Sequence, residues 1–319
     1  IVIGAHDWIG KFVQNNAITP VQLDDAAKSN YSDMALKAVT YNGQTYGAPY
    51  SVEALVLYVN KAVTSQVAPT TIEEVVEAGK AAGTEEILAL PVGQKGDGYH
   101  MQPLYSSAGG YLFGTNADGS YNLADVGVGT ESSVTAGTKI AELASQGALK
   151  TSITTDNAVN LFTDGKSPFL VSGPWSLATI KTAGIDYAIA KIPGFAGMGD
   201  AVPFAGVNVF YVAANGKNRT IAESFVADVA KDSTVAEAMF AKNELPPAQK
   251  DLVEKLKSSN PDMATLADIA SAAAPMPSIP QMAAIWPSLG QAEANIIAGK
   301  DPKSEMEAAG TAIKSALGS

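Results

Sequence analysis

The amino-acid sequence predicts an α/β protein with enough chain for two domains, and three observations carry that prediction. Short apolar runs of strand character alternate with stretches whose apolar residues recur at helical spacing. The chain has 319 residues, 46% of them hydrophobic and 17% charged, which supports sizeable cores. Strands stop at Gly-Pro or proline-rich punctuation and helices start just beyond it, the places where α/β proteins line their ligand crevices.

Taken in order, Ile1-Val2-Ile3-Gly4 reads as a strand already under way. The run from Tyr46 to Lys61 is extended and apolar, with a strand over 52–59 and a single carboxylate, Glu53, near its start. A strand that is apolar on both faces is buried, so Glu53 either terminates the strand or needs a partner or ligand. Thr71-x-x-Glu74 after Pro69 is a capping box, and Ile72, Val75, Val76 and Gly79 follow at helical spacing until Gly83 stops the turn. Further strands are predicted over 87–91, 169–171, 187–190 and 208–213. Further helices are predicted over 133–145, 156–163, 220–229, 234–242, 249–257, 261–272 and 303–317. No solenoid-type repeat is present, and the alanine-rich 270–274 is the only biased tract.

Two tryptophans stand out by their placement. In Phe169-Leu170-Val171-Ser172-Gly173-Pro174-Trp175-Ser176 a short apolar strand stops at Gly-Pro and delivers Trp175 where a helix begins. In Met276-Pro277-Ser278-Ile279-Pro280-Gln281-Met282-Ala283-Ala284-Ile285-Trp286, Pro277 and Pro280 fix φ and remove two donors. A stiff loop therefore hands Trp286 to the start of a helix. Each indole either fills a core or is presented to a ligand.

Composition excludes several classes. With 32 acidic against 21 basic side chains the formal charge is -11, which disfavours nucleic acid and anionic membrane surfaces as partners. There is no cysteine, hence no disulfide framework and no thiolate metal site. No apolar run approaches the roughly 20 residues a membrane-spanning helix needs.

These segments, in this order, resemble the maltose/maltodextrin-binding proteins, the soluble receptors of sugar-importing ABC transporters. The resemblance includes Ala5-His6-Asp7 with Gly10, Tyr41-Asn42-Gly43, and Val52-Glu53-Ala54-Leu55 ending in Asn60-Lys61. It continues through Gly109-Gly110-Tyr111, Asp125-Val126-Gly127-Val128, Gly173-Pro174-Trp175, and Pro203-Phe204 with Gly206-Val207. It closes on Met276-Pro277, Ile279-Pro280-Gln281-Met282 and Trp286. Each motif is weak alone; their collinear order over nearly the whole chain is specific.

The resemblance implies a two-lobed periplasmic-binding-protein fold with a sheet flanked by helices in each lobe. It puts 1–51 and 208–254 in the first lobe, 52–207 and 255–319 in the second, and hinge strands near 52–55 and 204–208. About sixty further residues, two supersecondary units, precede the Ala-His-Asp segment in such receptors, so the first lobe is expected to lack its initial strands here. The resemblance further implies sugar held in the cleft between lobes, lobe closure, no catalysis and no cofactor. It also implies permease subunits as partners, a monomer when complete, no membrane insertion of this segment, and a periplasmic or lipoprotein location.

A pyranose offers C–H patches on its faces and hydroxyls at its edge, so its receptor needs aromatic plates and carboxylate or amide acceptors. By the resemblance Trp175 and Trp286 match stacking aromatics of the second lobe, and Tyr99 another. Asp7 and Glu53 match hydroxyl acceptors, and Asp97 falls near a further acidic one, although 93–99 departs in length and composition. Gly4 stands where those receptors carry a Trp, while Trp8 follows Asp7 where they carry an Arg, so Trp8 is a candidate for the displaced plate. Pro287 and Gly290 replace a Tyr and an Arg. The resemblance implies maltose or malto-oligosaccharides as ligand, and three other readings remain: a receptor for a different oligosaccharide, a glycoside hydrolase drawing its carboxylate pair from Asp7, Glu53 and Asp97, and a metal or anion receptor using His6 and His100.

Overall fold

The structure, a computed structural model, describes residues 1–116 and 120–318. Strands and helices alternate along the chain, which divides into two compact units. Unit 1 comprises Ile1–Ala54, Gly173–Trp175 and Phe204–Pro280; unit 2 comprises Leu55–Ser172, Ser176–Pro203 and Gln281–Ser319.

Unit 1 is organised by the long strand Phe204–Ala213. It pairs antiparallel with Val2–Ala5, Ala48–Ala54 and Ile18–Thr19, and parallel with Ala274–Pro275. Its buried side chains, Val207, Val209, Tyr211 and Val212 among them, join Ile9, Tyr31, Val39, Val52 and Val226 in one hydrophobic core. The Asn42-Gly43 pair, with φ of +49° and +73°, makes the tight turn between Thr40–Tyr41 and Gln44–Thr45, as a two-residue hairpin demands.

Unit 2 holds a sheet with Val56–Asn60 between Tyr187–Ala190 and Phe169–Ser172, all antiparallel. Leu55 through Val59 are fully buried, which is why this run is apolar on both faces. Helices Glu131–Ser145, Met282–Ile297 and Pro302–Leu317 pack together, burying Ile140, Leu143, Ile285, Leu289, Met306 and Ile313. Helix Ile72–Ala82 begins and ends where its sequence says. Thr71 Oγ1 accepts from the Glu74 N–H at 3.2 Å, and Gly83 takes the left-handed conformation.

The structure differs from the expected elements at several points. The strand expected over 52–59 is two strands, Ala48–Ala54 and Val56–Asn60, in different sheets and different units. Over 87–91 only Ala89 pairs, as an isolated bridge to Leu170. The strand expected over 208–213 begins at Phe204. Helix Gly98–Ser107, with Gly98 at its start and Pro103 inside, forms where propensity argues against one. Residues 255–280, expected in the second lobe, cluster with unit 1 because helix Pro261–Ser271 packs on Ala48–Ala54 and Ala274–Pro275 pairs with Phe204–Ala213. Gly173–Trp175 likewise clusters with unit 1 rather than with the strand that delivers it. Among the described residues no helix is long and apolar enough to cross a membrane.

Candidate functional site

In unit 1, Asp7 and Trp8 sit on a single 3-10 turn, His6–Trp8, between strand Val2–Ala5 and helix Ile9–Gln14. His6 fixes that turn. Its ring is fully buried, its Nδ1 accepts from the Val207 N–H at 3.1 Å, and its Nε2 lies 3.0 Å from the Met276 carbonyl, to which it must donate. Both nitrogens are thus engaged within the fold, and burial, which outweighs the two backbone bonds, lowers the imidazole pKa to about 4.

The Trp8 indole is 46% exposed and lies back over Gly4, where an added Cβ would stand 2.4 Å from Cζ3. Its ring therefore occupies the space a side chain at position 4 would need. Phe12 supports it edge-on at 5.9 Å between centroids, and Tyr211 supports Phe12 in the same way at 5.8 Å. Trp175 repeats the arrangement on the turn Pro174–Ser176: it too is 46% exposed, and its ring covers Gly173, whose Cβ would fall 2.1 Å from Cζ3. Glycine at each position is a steric requirement of the neighbouring indole.

Glu53 lies opposite Gly206 in the register of Ala48–Ala54 with Phe204–Ala213. A Cβ at Gly206 would stand 2.7 Å from Glu53 Cγ and 2.9 Å from Oε1, so only glycine leaves the carboxyl its room. Ala5, the residue before the His6 turn, pairs with Asn208 on the other side of the same central strand. The Asp7 turn and Glu53 therefore flank that strand, two strand spacings or about 10 Å apart. Burial raises the pKa of Glu53, and burial against the opposing pull of its own backbone N–H raises that of Asp7. Among the described residues neither carboxyl has a paired cation, an environment that suits a neutral hydrogen-bonding partner.

In unit 2, Asp97 caps helix Gly98–Ser107. Its Oδ1 accepts from the His100 N–H at 3.1 Å, and its Oδ2 lies 2.7 Å from His100 Nδ1. Burial pushes its pKa up, but the His100 ring and the two backbone N–H groups of Tyr99 and His100 together hold it below the ordinary value. Tyr99 is half-buried and meets the His100 ring edge-on at 5.4 Å. Trp286, also half-buried, lies in helix Met282–Ile297 beside Gly98, whose Cβ would be 3.4 Å from its ring. Asp97, Tyr99 and Trp286 are thus brought together in unit 2, while in unit 1 Asp7 and Trp8 lie on the turn after Val2–Ala5 and Glu53 on Ala48–Ala54, with the central strand between.

His6 and His100 are both hydrogen-bonded within the fold, and among the described residues no group of three or more His, Cys, Asp or Glu is arranged to hold a metal ion. Two features escaped the sequence reading. Gly206 is signalled only as a glycine inside a strand, which marks close approach. Glu293, fully buried in Met282–Ile297, is signalled by its place seven residues after Trp286, on the same helical face.

Comparisons with known proteins identify the family and the fold. The family model for bacterial extracellular solute-binding proteins matches residues 1–273. The galactooligosaccharide-binding protein of Bacillus subtilis is 29% identical over 317 residues, covering 97% of this chain and 74% of the relative. The maltotriose-binding protein of Pyrococcus abyssi is 26% identical over 312 residues, covering 95% and 66%. The chain thus spans 74% and 66% of the length of these two relatives. The crystal structure of a cyclo/maltodextrin-binding protein complexed with maltotetraose superposes with a TM-score of 0.87 at 27% identity, over 99% of this chain and 82% of that one. The fold is accordingly the periplasmic-binding-protein fold.

Proposed function

We propose that this chain, which belongs to the bacterial extracellular solute-binding protein family, captures an oligosaccharide outside the cytoplasm and delivers it unchanged to an ABC importer. The observation that carries the sugar reading is the pairing of half-exposed indoles with half-buried carboxyls. Trp8 and Trp175 each expose 46% of their surface while braced over a glycine. Flat apolar plates and half-buried carboxyl acceptors suit the face and edge of a pyranose. We assign Asp7, Trp8, Glu53 and Trp175 of unit 1 and Asp97, Tyr99 and Trp286 of unit 2 as the sugar contacts.

An α-glucan, maltose or a longer malto-oligosaccharide, is the preferred ligand. Likeness to a structure complexed with maltotetraose and to a maltotriose-binding relative supports it, while the galactooligosaccharide-binding relative makes galactosides the first competitor. The protein works as a monomer in the periplasm or anchored at the cell surface as a lipoprotein, with permease subunits as its partners.

A glycan panel read by intrinsic fluorescence, followed by calorimetry, tests this. Maltotriose is expected to bind, and Trp175→Ala and Trp286→Ala are each expected to lose at least the 0.5–1.5 kcal/mol, roughly, that aromatic stacking adds beyond burial. Unchanged affinity in both variants removes the indoles from the site, and binding of galactosides alone moves the specificity. Chromatography after overnight incubation separates a receptor, which returns maltotriose intact, from a hydrolase, which releases reducing ends.

A further inference from the structure

Helix Met282–Ile297 carries Trp286, Gly290 and Glu293 at spacings of four and three, which places them in one stripe along one face. The turn Gly96-Asp97-Gly98 lies against that stripe. A Cβ at Gly96 would fall 1.7 Å from the Gly290 carbonyl oxygen, so backbone meets backbone there and no side chain fits at position 96. A Cβ at Gly98 would stand 3.4 Å from the Trp286 ring and 3.9 Å from Glu293 Oε2. The indole and the carboxyl therefore flank the same residue of the turn.

Glu293 is 0% exposed, and among the described residues neither of its carboxyl oxygens has a hydrogen-bond partner. A buried charge without a partner is costly, and such an orphaned pair of oxygens calls for an explanation. The groups facing it supply no compensation. From the side of helix Gly98–Ser107 its field reaches Asp97 and Tyr105; Asp97 is bonded to the His100 ring, the Tyr105 hydroxyl donates to Ser133 Oγ at 3.1 Å, and Lys95 of the preceding turn is exposed. Helix Glu131–Ser145 buries Ser133, Ile140 and Leu143, while its Glu131 and Glu142 are exposed and its Lys139 is paired with Glu142. Helix Pro302–Leu317 buries Met306 and Ile313 and keeps Lys303, Glu307 and Lys314 exposed, with Glu305 bound to Asn295.

We propose that Glu293 is a positioning residue for the Trp286 subsite: uncharged, it lets the Gly96–Gly98 turn close on the helix and hold Asp97 beside the indole. Ionised, it repels the Asp97 carboxylate, drives the turn off the helix and weakens sugar binding. Burial first, and the charge of Asp97 second, raise its pKa well above the ordinary carboxylate value, so the fold favours the uncharged form. The proposal rests on the sugar-binding reading above and deepens it by making affinity depend on one proton. Because the proton is lost as pH rises, affinity falls on the alkaline side.

Maltotriose calorimetry on the full chain at pH 7 and pH 9.5, with wild type, Glu293→Gln and Glu293→Leu, tests it. Wild type is expected to lose at least fivefold in affinity over that interval. Glu293→Gln, neutral and of the same shape, is expected to keep the wild-type affinity at pH 7 and change less than twofold; Glu293→Leu serves if Gln does not fold. A neutral variant that falls as wild type does overturns the proposal, and so does a wild type with no fall. If wild type binds no glycan at all, the functional reading fails instead, and ligand-free fluorescence decides the positioning role. In a Trp8→Phe/Trp175→Phe background, Trp286 should show an alkaline step that Glu293→Gln removes. A step that persists in Glu293→Gln, or no step in either, overturns it.

Discussion

His6 shows how one side chain fixes the turn that carries two of the proposed sugar contacts. Its ring joins Val207 and Met276 to the segment that carries Asp7 and Trp8, and it does so as a neutral imidazole. Its folded pKa of about 4 lies below the ordinary 6.5, so between those values the unfolded chain binds the additional proton. The stability this adds is complete above pH 6.5 and is lost as pH falls toward 4; two and a half units correspond to about 3 kcal/mol. Asp7, Glu53 and Glu293, whose pKa values are raised, act with the opposite sign, adding stability as pH falls. Urea unfolding at pH 6.5 and pH 4 should therefore show a loss in wild type larger by about 2–3 kcal/mol than in His6→Gln. Equal losses would show that the ring is not the titrating group. His6 and Asp7 were visible in the sequence as neighbours, but that the ring serves the fold and not a metal was not, because its partners lie 201 and 270 residues away.

Helix Ile72–Ala82 was the most legible element, because every signal for it is local. The cap, the apolar spacing and the glycine stop all lie within thirteen residues, and the structure adds that the Glu74 carboxylate accepts from the Thr70 N–H at 2.7 Å, one residue before the cap. Thr71→Ala should cost about 1 kcal/mol in chemical denaturation with no change in ligand affinity. No loss would mean that Glu74 alone satisfies the helix start. Helix Gly98–Ser107 is the contrary case, with Gly98 at its start and Pro103 inside. Its formation depends on the Asp97 cap and on the burial of Met101, Leu104 and Tyr105 against helices distant in sequence.

At the scale of the whole molecule, the chain passes between its units at Ala54/Leu55, Ser172/Gly173, Trp175/Ser176, Pro203/Phe204 and Pro280/Gln281. Of the residues proposed as sugar contacts, Glu53 comes one residue before Ala54 at the first crossing, and Trp175 is the last residue before the third. A ligand that binds only the folded protein stabilises it by mass action, so maltotriose at a hundred times its Kd should add about 2.7 kcal/mol to unfolding. Thermal denaturation with and without the sugar measures this. An unchanged Tm at saturating ligand would contradict specific binding.

By itself the sequence determined the α/β alternation, the motif order that resembles sugar receptors, and the local frames of Trp175 and Trp286. Those features follow from backbone preference and apolar periodicity within a few residues. Only the tertiary structure decided that the run 52–59 breaks at Leu55, that Gly206 makes room for Glu53, and that Glu293 stands behind Trp286. A change of sheet leaves no mark in a run that is buried throughout. A glycine or carboxyl takes its role from whichever distant backbone folds against it.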